Sequence, residues 1–188
     1  MIEAVSNLAT AFGLSTSAGL NAYVPLLIVA LAARFTPWIR LNPPFDALAN
    51  PWVIGVLVVL LAIEIVADKV PVVDSANDAI QTVIRPAAGA ILFAASTNAI
   101  ADVHPVLAMV CGVILAGGVH TVKATARPVI TATTAGVANP IVSAAEDVVS
   151  AVTSLIAVLV PLLAVFLVLG AALTVLLWRG SRARRAQG

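Results

Sequence analysis

Residues 64–85 read E-I-V-A-D-K-V-P-V-V-D-S-A-N-D-A-I-Q-T-V-I-R. Six of these 22 residues are charged: Glu64, Asp68, Lys69, Asp74, Asp78 and Arg85. Only 10% of the whole chain is charged, so this stretch concentrates a scarce resource. Apolar runs long enough to enter a bilayer flank it on both sides. A second polar stretch, from His120 to Asp147, answers it later. Polar islands between such runs predict an all-α fold, a polytopic transmembrane helical bundle of about five spans. Two interrupted or re-entrant polar segments are expected within it.

Composition supports the same reading. The chain is 61% hydrophobic with mean hydropathy +1.09, whereas a soluble domain is roughly half apolar and about a quarter charged. With so few charges, 188 residues cannot cover a water-soluble globule, so the lipid bilayer is the expected partner. Length favours one transmembrane domain, 1–178, followed by a basic tail, 179–188. A net charge of +1 with no basic face before the tail argues against a nucleic-acid partner. The single cysteine, Cys111, sits in an apolar run and reads as a packing residue. The start, M-I-E-A-V-S-N, lacks the basic residues of a secretory signal, so no cleavage is expected.

Along the chain, residues 4–33 form a first apolar run. G-L-S-T-S-A-G-L-N (13–21) interrupts it, which reads either as a broken helix or as close packing by small residues. Pro25 adds a potential kink. Arg34, Pro37, Trp38, Arg40, Pro43 and Pro44 read as an interfacial loop. Pro51 and Trp52 open a second span reaching about Ala67. Asp74 or Ser75 is placed to cap a short amphipathic helix ending near Arg85, with Ser75 and Asp78 as a capping box. Pro86 then suits the first turn of a third span, 86–101. Asp102, His104 and Pro105 form a turn before a fourth span, 105–122. The last span, 151–178, exceeds the hydrocarbon thickness at ~1.5 Å per residue. Arg179 and the three arginines of S-R-A-R-R-A-Q-G place the C-terminus in the cytoplasm.

Lys69 and Lys123 are 54 apart, as are Pro86 and Pro140, and S-T-S-A-G-L (15–20) echoes A-T-T-A-G-V (132–137). Such echoes suit a transporter built from repeats. In a chain this rich in Ala and Val they also arise by chance.

The chemistry lies in the polar stretches. Glu64 and Asp68 share one helix face, as do Lys123 and Arg127, so two acids are placed to face two bases. Ionisable groups at membrane depth are costly and are usually paired or turned to a cavity. Either ion pairs lock the helices, or a polar cavity passes a solute. Arg85-Pro86 and Arg127-Pro128 would sit at helix starts, a setting for an anionic group. The competing reading is a cation held by Glu64, Asp68, Asp74 and Asp78 beside Asn77, with His120 assisting or relaying protons. Asn139, Glu146, Asp147 and Lys69 complete the candidate cavity. No zinc-type spacing, G-x-S-x-G, H-E-x-x-H or P-loop occurs, so no cofactor is expected and enzymatic function is disfavoured, a membrane hydrolase being the residual option.

Five segments together resemble a family of small bacterial membrane proteins, domain of unknown function 4126. They are A-G-L-N-A-Y-V-P (18–25), E-I-V-A-D-K-V-P-V-V-D (64–74), R-P-A-A-G-A (85–90), H-T-V-K-A-T-A-R (120–127) and N-P-I-V-S-A-A-E-D (139–147). The resemblance names no substrate. It implies that the polar stretches are the family's signature, which favours a site over incidental ion pairs. The expectation is a small inner-membrane transporter or channel-like protein for an anionic solute or a cation, with homo-oligomerisation open. The alternative is a non-transporting scaffold or complex subunit in which the same charges are structural pairs.

Overall fold

The structure is a computed structural model that describes residues 2–37, 39–68, 71–97 and 103–161, with 170 and 174 beyond them; within helices, the side chains of 2 and 71–76 are outside the description. The elements in order are α1 (Ile2–Ala18), α2 (Tyr23–Phe35), a short 3-10 helix (Phe45–Ala49), α3 (Pro51–Ala67), α4 (Pro71–Thr97), α5 (Pro105–Thr134) and α6 (Asn139–Leu159). Among the described residues there is no strand. Among the described residues, three helical segments are long and apolar enough to cross a membrane: Asn77–Thr97, Pro105–Thr134 and Asn139–Leu159. The apolar α2 and α3 are shorter. The expected interfacial Trp38, the turn residue Asp102, most of the last span beyond 161 and the basic tail lie outside the described residues.

Large apolar side chains face outward, and charged and polar ones are buried beside an apolar core. Val56, Val58, Val59 and Ile63 of α3 are exposed, as are Val106, Leu107, Val110 and Ile114 of α5. Glu64, Gln81, Arg85, Ser150 and Ser154 are buried. Water would reverse this arrangement, and lipid tolerates it.

Small residues bring the helices together. An added Cβ on Gly89 of α4 would lie 2.7 Å from the Gly112 carbonyl of α5, and one on Gly19 2.5 Å from the Ala116 carbonyl. Backbones therefore touch where α1, α4 and α5 meet, as small residues permit in lipid. The Ser15 hydroxyl adds a hydrogen bond to the Gly89 carbonyl (2.9 Å). Along α5 one face buries Ala108, Gly112 and Ala116, then His120, Lys123 and Arg127. The same stripe thus changes from a packing seam to a charged one.

Several helix boundaries differ from those expected. The first run breaks at 19–22, later than the interruption suggested, because Ser15 and Ser17 stay helical and bond across the bundle. Pro25 does not kink α2; it lies in the first turn, where its missing N–H has no intrahelical partner to lose. Pro86 starts no helix. α4 runs unbroken from Pro71 through Pro86 to Thr97, so residues 74 and 75 are inside it and the Ser75–Asp78 capping box does not form. Likewise α5 continues through Pro128 to Thr134, well past residue 122. Neighbouring helices make an internal proline tolerable in a membrane bundle. The boundary at Pro51 is as read: Asn50 accepts a hydrogen bond from the Trp52 amide (2.9 Å) and Pro51 occupies the first turn.

Candidate functional site

Five helices bring their polar residues to one end of the bundle. The C-terminal end of α3 supplies Glu64 and Asp68, and the first half of α4 supplies Asn77, Asp78, Gln81, Thr82 and Arg85. Along α5, His120, Lys123 and Arg127 recur at helical spacing on the buried face. Ser143, Glu146 and Asp147 come from the first half of α6, and the break between α1 and α2 adds Leu20 and Asn21. The ion pairs divide into a deep limb and a shallow one.

In the deep limb, Arg85 Nη2 lies 3.1 Å from Glu64 Oε1, with side-chain exposures of 0% and 1%. Its Nη1 lies 3.1 Å from His120 Nδ1. Guanidinium can only donate, so Nδ1 is the acceptor and Nε2 carries the imidazole proton. That proton faces Thr82 Oγ1 at 3.0 Å, and the Thr82 hydroxyl donates in turn to the Asp78 carbonyl (2.9 Å). The order of donors fixes the neutral Nε2–H tautomer of His120. Tyr23, at the start of α2, faces Gln81, Glu64 and Arg85.

In the shallow limb, Arg127 lies 3.6 Å from Asp78, 3.5 Å from Glu146 and 3.9 Å from Asp68, and donates to the Ser143 hydroxyl (3.2 Å). Asp68 also accepts from Asn77 (3.0 Å) and, through its other oxygen, from the Ser143 hydroxyl. Lys123 pairs with Glu146 at 2.8 Å and donates to the Leu20 carbonyl (3.3 Å). Leu20 lies in the break after α1, so a lysine ammonium meets the negative end of that helix. Asp147 accepts from Asn21 (2.8 Å), while the Asn21 side-chain oxygen accepts from the Tyr23 and Val24 amides and so caps α2. Asp78 and Glu146 are partly exposed, at 19% and 16%, and so is Asp147.

The sequence reading put two acids opposite two bases, and the partners are redistributed. Glu64 pairs with Arg85, Lys123 with Glu146, and of the expected pairs only Asp68 and Arg127 approach each other. The two Arg-Pro pairs lie inside helices, so neither presents a helix N-terminus to an anion. Among the described residues no three His, Cys, Asp or Glu side chains form a metal cluster. The carboxylates at 64, 68 and 78 therefore do not gather as one divalent site. Asn139 is turned to Thr131 across the turn between α5 and α6 (2.9 Å). Lys69 and the side chain of Asp74 lie outside the described residues. The 54-residue offset fails as a structural repeat, since Pro86 is within a helix and Pro140 begins one. The other echo does mark equivalent places, because 15–20 and 132–137 each run into a helix break.

Sequence reasoning missed Asn21, Gln81, Ser143 and a buried hydroxyl cluster. Ser17 bonds Ser150 (2.8 Å) and Ser154 (2.7 Å) between α1 and α6. The spacing of 143, 147, 150 and 154 is a polar stripe on one face of α6 and was available as a signal. Gln81 also lies between Asp78 and Arg85 at helical spacing.

A chain whose described residues fold into helices with apolar outer faces and buried charges between them is a multi-pass membrane protein. It belongs to the family described as Domain of unknown function (DUF4126), which matches residues 8–181. No curated protein and no solved structure is significantly similar to it.

Proposed function

We propose that this chain is a small transporter or channel-like protein, whose polar centre binds a solute. The observation that carries the reading is the convergence of charged side chains from four helices on the break between α1 and α2, three of those helices having segments apolar enough to cross a bilayer. Intramembrane ionisable groups usually mark a pathway, and interrupted helices with polar partners at the break recur in transporters. The membrane is proposed to be the bacterial inner membrane, with the arginine-rich tail inside. About five crossings are proposed: three segments have the length for it, and the apolar α2 and α3 are shorter.

The alternative is a membrane scaffold or complex subunit. It is favoured by the close pairing of Arg85 with Glu64 and of Lys123 with Glu146. Osmotic swelling of proteoliposomes in a panel of small anionic, cationic and neutral solutes separates the two. The combined variant Glu64→Gln/Arg85→Met is expected to fold, since both buried charges leave together, yet to lose permeation. A scaffold would give no protein-dependent swelling for any solute and would regain stability in the same double variant.

A further inference from the structure

Acids outnumber bases in the polar centre. Among the described side chains, Glu64, Asp68, Asp78, Glu146 and Asp147 meet only Arg85, Lys123 and Arg127. An independent observation comes from hydrogen bonding. Glu64 Oε2 and Gln81 Oε1 are buried and make no hydrogen bond within the chain, and neither does the buried Oδ1 of Asp78. Glu64 and Gln81 are each 1% exposed. Most buried polar atoms are satisfied, so acceptor oxygens left over together call for a donor or a cation.

Their placement is ordered. Asp78, Gln81 and Arg85 lie on one face of α4 over about 10 Å, and Arg85 holds Glu64 at its deep end. Asp78 is the partly exposed member, and Gln81 and Glu64 are both enclosed. The buried Tyr23 hydroxyl lies beside Gln81, in the field of Glu64, and adds a further oxygen. The donor left over in the deep limb is the Arg85 Nε–H.

We infer that the polar centre binds a small monovalent cation, reached past Asp78 and held by oxygens of Glu64, Gln81 and Tyr23. This rests on the proposed reading of the centre as a binding site and makes its ligand cationic. All three bases already lie beside acids, which disfavours an anion. A divalent ion asks for six or more oxygens, usually several of them carboxylates. One carboxylate, an amide and a hydroxyl beside a guanidinium suit a single positive charge instead.

The test is the melting temperature of the full chain in detergent at fixed pH and ionic strength. NaCl, KCl and NH4Cl are each compared with choline chloride, whose cation is far larger than the other three. At least one of the three small cations is expected to raise the melting temperature in a saturable way. Gln81→Met removes one acceptor at similar volume. It is expected to fold as well as the parent or better, and to abolish the cation-dependent rise. Identical melting in all four salts overturns the inference, as does a rise that persists in Gln81→Met. Stabilisation by acid that is the same in every salt overturns it in favour of protons. Protein-dependent swelling with no cation effect overturns the cation while leaving the transport reading standing. Cation binding without swelling does the reverse.

Discussion

The two limbs of the polar centre solve the same electrostatic problem in different ways. In the deep limb one acid meets one base, and His120 and Thr82 continue the chain of hydrogen bonds. In the shallow limb two bases lie among four acids, three of them partly exposed. The difference teaches where tolerance lies. A fully enclosed pair leaves its partner stranded when one member is removed. A network with surplus acids and some exposure can re-pair.

The sharpest way to break this contrast is Arg85→Met, which strands the Glu64 carboxylate. A loss of about 3–5 kcal/mol is expected, read by chemical denaturation in detergent, with most of it restored in Glu64→Gln/Arg85→Met. A loss below about 1 kcal/mol, the scale of an exposed pair, would erase the distinction between the limbs. Lys123→Met should cost less, about 2 kcal/mol, the scale of a charged hydrogen bond. It removes contacts to Glu146 and the Leu20 carbonyl, but Glu146 keeps Arg127 at 3.5 Å. If Lys123→Met costs as much as Arg85→Met, the shallow limb is as rigid as the deep one.

A neutral interior provides the next step down. Ser17→Ala removes the hydroxyl that joins Ser150 and Ser154, with an expected loss of about 1 kcal/mol by the same measurement. Val59→Ala, on the exposed face of α3, sets the floor at under about 0.5 kcal/mol. A larger effect there would mean that this face meets protein rather than lipid.

Much of the fold was legible because lipid imposes a simple rule: apolar runs of sufficient length become helices. The run opened by Pro51 and the polar islands around Asp68 and Lys123 could be read in that way. The helix ends were harder. Pro86 and Pro128 look like helix starts by local propensity, yet α4 and α5 pass through both, since packing in a bundle compensates for a missing hydrogen bond. Asn21 stands in the sequence only as part of a motif. Its cap on α2 is local, but its bond to Asp147 depends on a residue 126 positions away.

The sequence by itself determined the solvent, the helical class and which residue types must find partners, because each follows from composition and local spacing. Which acid meets which base was decided only by the tertiary structure. Helical periodicity assigns a side chain to a face but not to a neighbour. The contacts at Gly19, Gly89 and Gly112 set how closely α1, α4 and α5 approach. That approach brings Arg85 to His120 and Lys123 to the Leu20 carbonyl, and the end of α3 adds Glu64 to Arg85.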